Sequence, residues 1–183
     1  SFDNKYFPKK GWYFNGDVQS FLYSSRFEDI FLMHTIFKAE AAYAQKLFRK
    51  GSFVLKSEGG FTVGEQSIPI LNFFIGGYGY KPFNNFSHFY GYDFVGLTGN
   101  SYVMGSLSFD YEIFKKNHLN ATANYANMGN DIFVNDGWLK LPTYSGYSVG
   151  YGLETIFGPV EIKQSWSPET KDSFTWFGVG FWF

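Results

Sequence analysis

Apolar and polar residues alternate along most of this chain, and the alternation falls into eight segments. Residues 12–23 place Trp12, Phe14, Val18 and Leu22 on one face and Asn15, Asp17 and Gln19 on the other. Residues 31–47 set Phe31, Met33, Phe37, Ala39, Ala41 and Tyr43 against His34, Lys38, Glu40 and Lys46. In 53–63, Phe53, Leu55, Phe61 and Val63 oppose Lys56, Glu58 and Thr62; in 101–114, Val103, Leu107, Phe109, Tyr111 and Ile113 oppose Ser106, Ser108, Asp110 and Glu112. The pattern repeats at 119–127 (Leu119, Ala121, Ala123, Tyr125 against Asn120, Thr122, Asn124) and at 147–157 (Tyr147, Val149, Tyr151, Leu153 against Ser148, Glu154). It ends with 160–166 (Val160, Ile162, Trp166 against Glu161, Lys163) and 173–183, where Thr175, Phe177, Val179, Phe181 and Phe183 share a face. A side-chain period of two is that of a β-strand, so eight strands are predicted. Only 38–46, rich in Ala, Glu and Gln, also suits a helix; helix propensity is a weak prior, and the odd/even split favours a strand.

The connections alternate as well. Those at 48–52, 115–117 and 158–159 are short, while 66–100 and 128–144 are long and 24–29 and 167–172 intermediate. Short turns at one end and longer loops at the other are the plan of an up-and-down transmembrane barrel. Composition agrees. Aromatic residues make up 23% of the chain, enough for girdles at two membrane interfaces, yet mean hydropathy is only -0.19. No run of 18 apolar residues exists to form a spanning helix. Apolar residues at every second position reconcile these facts. A net charge of -1 gives no reason to expect nucleic acid as a partner. The absence of cysteine rules out disulfides and thiolate metal sites. No signal peptide is visible at Ser1, so a mature or truncated chain is expected, with 1–183 as a single domain.

The last strand, ending on Phe183, resembles the terminal signal of bacterial outer-membrane barrels, carried by Phe177, Val179, Phe181 and Phe183. Further stretches resemble the BamA-type outer-membrane assembly superfamily, which includes BamA and TamA. Asp3-Asn4-Lys5-Tyr6-Phe7-Pro8-Lys9-Lys10-Gly11 is similar to the segment that opens a strand midway through that barrel. Phe74-Ile75-Gly76-Gly77, then Phe89-Tyr90-Gly91-Tyr92 and Gly99-Asn100, sit where the family carries its long extracellular loop. Tyr125-Ala126-Asn127-Met128-Gly129, Gly158-Pro159-Val160 and the closing strand follow in the family's order. The resemblance spans nearly the whole chain but only the second half of the family's sixteen-stranded barrel, without its POTRA domains. It implies a loop motif of Gly76, Gly77, Tyr90, Gly91 and Tyr92, with Tyr90 where relatives place an Arg. Ser108 takes the slot of the wall acid that receives this Arg; Asp110 and Glu112 are the nearby acids.

The fold expected is an all-β, eight-stranded antiparallel up-and-down barrel with one long extracellular loop, 66–100, and both termini periplasmic. Such a barrel has room inside only for side chains. Lys38, Glu40, Lys56, Glu58, Asp110, Glu112, Glu154, Glu161 and Lys163 would line it as a closed ion-pair network, in preference to a proton or ion path. The long loop then has no room inside, and is expected to pack over the barrel mouth and to mediate self-association. Alternatives are that two chains pool their strands or that the chain is half of a longer protein.

No catalytic, cofactor or metal site is expected. His34, His88 and His118 share no ligand spacing, and Gly99-Asn100-Ser101-Tyr102-Val103 lacks the final Gly of a nucleophile elbow. Asp136-Gly137 reads as an ordinary turn. The segments 111–117 and 124–127 are also similar to barrels that follow patatin-type lipases, whose catalysis would lie upstream. Three functions therefore stand open: a minimal assembly-superfamily member that inserts or translocates other proteins, a passive structural or small-solute barrel, and the membrane domain of a lipase. The partners expected are the lipid bilayer, a second copy of the chain, and other outer-membrane proteins.

Overall fold

The computed structural model describes residues 1–23, 32–64, 71–79 and 84–180. Eleven strands appear in chain order: β1 (Lys10–Phe21), β2 (His34–Phe48), β3 (Gly51–Gly64), β4 (Phe73–Ile75), β5 (Phe86–Ser87), β6 (Leu97–Gly99), β7 (Ser101–Phe114), β8 (Asn117–Gly129), β9 (Tyr144–Thr155), β10 (Gly158–Trp166) and β11 (Ser173–Val179). Eight of them form one antiparallel sheet in the order β1-β2-β3-β7-β8-β9-β10-β11. The Ala-rich stretch lies in strand β2, which pairs with β1 from His34 to Gln45 and with β3 from His34 to Lys46. Phe31 lies outside the described residues.

Two features differ from the expectation. The sheet is open: among the described residues β1 pairs only with β2, and β11 only with β10. The described part of the long loop, moreover, lies on the inner face of the sheet and not over its mouth. Its β4, β5 and β6 form a small sheet in the order β5-β4-β6, seated on the polar face of the large one. Alternation revealed the long strands because each repeats its pattern over many residues. Strands of two or three residues carry no readable period.

The large sheet curls around this insert. Ser87 of β5 meets Glu58 on β3, and Tyr90, three residues on, meets Lys163 on β10. Four inter-strand spacings separate β3 from β10, about 19 Å on a flat sheet. Three residues of chain span at most about 10 Å. The long side chains of Glu58, Tyr90 and Lys163, together with the curl of the sheet, let the short insert bridge the two.

The convex face bears the apolar half of each strand. Trp12 and Phe14 are 67% exposed and Phe177 is 70% exposed, and Leu55, Leu107, Leu119, Val149 and Ile162 continue the surface across the sheet. A water-soluble monomer rarely shows an apolar patch of this extent. On the concave side Phe73, Ile75, Phe89, Tyr92 and Tyr102 form a buried core with Ile36, Met104 and Ala126. Glycines on the wall make room for it. The ring of Phe73 lies where a Cβ on Gly60 would stand, and that of Phe7 where one on Gly152 would stand.

Candidate functional site

The concave face gathers the charged residues of alternate strand positions into three groups. In the first, the register sets Glu40 directly opposite Glu58, with Lys38 and Lys56 diagonal to them. Like charges directly opposed repel, and diagonal neighbours lie within reach of long side chains. Lys56 Nζ accordingly bridges Glu40 and Glu58 at 3.1 and 3.0 Å, and Lys38 Nζ meets Glu58 at 3.0 Å. Tyr102 donates to Glu58 at 2.7 Å, and the loop hydroxyl of Ser87 donates to the same carboxylate. Lys38 also donates to Ser87 Oγ at 2.9 Å and to the Asn84 carbonyl at 3.1 Å. The network thus joins wall to wall and wall to loop.

The second group lies on β10. Lys163 Nζ is 4.3 Å above the centre of the Tyr78 ring, 3.1 Å from the Tyr90 hydroxyl and 3.5 Å from Glu161. Tyr78 donates to Glu161 at 2.8 Å and stacks on Tyr90 with ring centres 5.2 Å apart. Burial first, with Tyr90 and Glu161 adding to it, pushes the Tyr78 phenol well above its usual range, which keeps it a donor. A cation over an aromatic face is attracted by the ring quadrupole, more strongly where water is excluded. The loop position at which the resemblance implies a cation is therefore aromatic, and the cation sits on the wall.

The loop motif positions these rings. Gly76 and Gly77 both have positive φ, and Gly77 N–H donates to the Tyr92 carbonyl at 3.0 Å, closing the tip. Gly91, at φ 83°, presses against the backbone of Trp166, and a side chain there would collide with its carbonyl. Tyr90 N–H donates to Asn124 on β8 at 3.0 Å.

The third group holds the N-terminal segment rather than the loop. Phe7 stacks on His118 with ring centres 4.0 Å apart, and His118 Nδ1 is 2.8 Å from Asp110. Asn4 donates to Glu154 at 2.9 Å, and Lys9 pairs with Glu112 at 2.6 Å. Ser108, in the slot of the wall acid, bonds to Thr122 at 2.9 Å. Asp110 and Glu112 thus hold the chain start and do not replace a loop-binding acid.

The sequence did not place His118 or Tyr102 on the inward face, although His118 continues the parity of Asn120 and Thr122 by one step and Tyr102 that of Ser106 by two. The contribution of residues 3–9 to the concave side has no periodic signal. Of the C-terminal residues, Phe177 and Val179 stand exposed on the convex face, and Phe181 and Phe183 lie outside the described residues. Among the described residues, no group of three His, Asp or Glu could hold a metal ion. Both nitrogens of His118 face carboxylates, with Nδ1 2.8 Å from Asp110 and Nε2 3.7 Å from Glu154.

No curated protein matches the chain. The profile of the OMP85 superfamily matches residues 1–183, the whole length. An eight-stranded sheet with an apolar convex face, a charged concave face and a long loop folded against the latter suits a superfamily of outer-membrane β-barrel proteins. The chain belongs to the OMP85 superfamily.

Proposed function

We propose that this chain supplies eight strands of a wider outer-membrane barrel and takes part in inserting or translocating other outer-membrane proteins. The occupied concave face is the observation that carries the reading. An eight-stranded barrel has an interior just wide enough for side chains. Here three backbone strands and residues 3–9 lie against that face, with Phe73, Ile75, Phe86 and Phe89 fully buried. A closed barrel around such an insert needs more strands, and β1 and β11 are the edges at which they would add. A second copy of the chain, or strands from elsewhere in a longer protein, would complete it. The N-terminal segment touches Glu112 and Glu154, next to the β7–β8 and β9–β10 turns, and Val179 pairs with Val160 beside the second of these. Both ends of the described chain thus lie at the short-turn end, which is periplasmic in this reading.

Unpaired strand edges template the pairing of another chain. That is the physical means by which an assembly protein would act, with no catalytic group required. Two experiments test the reading. Mass in mild detergent is expected to exceed that of one chain, with cysteines placed on β1 and β11 cross-linking between copies; a monomer cross-linked within itself would mean closure at eight strands. Vesicles carrying the protein are expected to speed the folding of a test barrel, and an unchanged rate would reject the assembly role.

A further inference from the structure

On the convex face, between β1 and β7, lies a groove of about 600 Å³. Registry explains its floor. Gly16 pairs with Ala39, and Ala39 with Gly59, while Ala41 pairs with Ser57 one step lower. Small side chains thus fall together on three neighbouring strands, between the larger Phe14 and Val18 on one side and Val103 on the other. A series of rings closes the long-loop end: Phe37 stacks on Phe61 at 5.0 Å, Phe61 meets Phe133 at 5.5 Å, and Phe133 meets Trp138 at 5.8 Å. Phe133 and Trp138 belong to the β8–β9 connection, which folds outward over the sheet instead of continuing away from it. The same connection exposes Val134, Leu139 and Leu141, at 81%, 66% and 90%.

The volume lies within the range of small-molecule sites. Its lining is almost wholly apolar, so water entering would find too few partners. The groove is also continuous with the surface that meets bilayer hydrocarbon, as the exposed Trp12, Phe14 and Leu107 on either side require. The molecule available to fill it is therefore a lipid tail. We propose that the groove is a binding site for one acyl chain of a bilayer lipid, held between the small-residue floor and the Phe133–Trp138 roof. This rests on the membrane placement of the sheet and not on the assembly role, so either can fail without the other.

The test compares the whole chain with Gly16→Leu and Ala39→Leu, which fill the floor. A Cβ on Gly16 meets only the Phe14 ring, at ordinary contact distance, so the first variant keeps its strand unstrained. Heat-modified gel migration checks folding of each. Protein folded with dipalmitoyl phosphatidylethanolamine and moved into detergent is weighed by native mass spectrometry. One retained lipid per chain is expected, with occupancy falling about tenfold in either variant as contacts with several methylenes are lost. Equal retention in all three proteins, or no retained lipid in any, would overturn the site. A lipid-free dimer that Ala39→Leu splits would overturn it too, because the occupant would then be a second copy.

Discussion

The loop and the N-terminal segment both lie against the concave wall, but they are fastened by different physics. The loop brings its own three-stranded sheet, a dry core around Phe73 and Phe89, and polar ties to β2, β3 and β10. The N-terminal segment brings one buried ring, Phe7, and a few polar contacts near the short-turn rim. A segment held by a core and by buried charges leaves only at the cost of both. One held by a single ring and rim contacts can open locally while the rest stays folded. Residues 3–9 are therefore expected to open before the described part of the loop does.

The comparison breaks most sharply at Glu58. Replacing it by Ala removes the buried carboxylate that Lys38 and Lys56 share, leaving Lys56 to Glu40 and Lys38 to its loop acceptors, which is expected to cost about 3–5 kcal/mol. Urea unfolding in detergent would show the loss, and limited proteolysis within 71–99 would show the loop released while the N-terminal segment stays protected. Phe7→Ala should cost about 3 kcal/mol, the lower end for removing a buried Phe. Here the proteolysis pattern should reverse, with cleavage near residue 7 and a protected loop. Tyr90→Phe keeps the stack on Tyr78 but removes the hydroxyl that receives Lys163, for a loss of about 1.5–3 kcal/mol in the same unfolding assay. Lys9→Ala breaks a part-exposed pair at the rim and should cost under about 1 kcal/mol, a difference that shrinks further in high salt.

Acid gives the mildest test. Burial alone would raise the Asp3 carboxyl, but the backbone N–H groups of Asn4, Lys9 and Lys10 donate to it and hold it below its ordinary 3.8. A carboxyl lowered in the folded state adds stability above its unfolded value, and that stability fades as pH falls through the folded one. Protection of the Lys9 and Lys10 amides from hydrogen exchange should therefore fall below about pH 3.8, and Asp3→Asn should show lowered protection already at neutral pH.

Much of this was legible in the sequence, and the reason is periodicity. A long strand with a greasy side and a wet side declares both its course and its faces, so Lys38, Glu40, Lys56 and Glu58 could be placed together inside before any contact was known. The same signal does not say how many strands complete the ring, because closure depends on pairing between edges and not on the pattern within a strand. It also could not show that Lys163 would meet tyrosines. That contact joins β10 to a loop more than seventy positions earlier, through the Gly76–Gly77 turn and a three-residue strand. The placement of Phe7 escaped for a related reason: one ring in an irregular segment has no period, and the vacancy that accepts it is a glycine on another strand.

The facing of Glu40 and Glu58, described above as a repulsion relieved by two lysines, also acts as an alignment key for insertion. If β2 slipped by one residue against β3, Lys38, Glu40 and Lys46 would turn outward into hydrocarbon. A lysine at the middle of a bilayer costs about 2–4 kcal/mol, so a misaligned sheet would be rejected by the membrane itself. Correct alignment lets Lys38 and Lys56 each reach a carboxylate. The ion pairs thus favour one register of β2 on β3 over its neighbours, before anything the finished protein does.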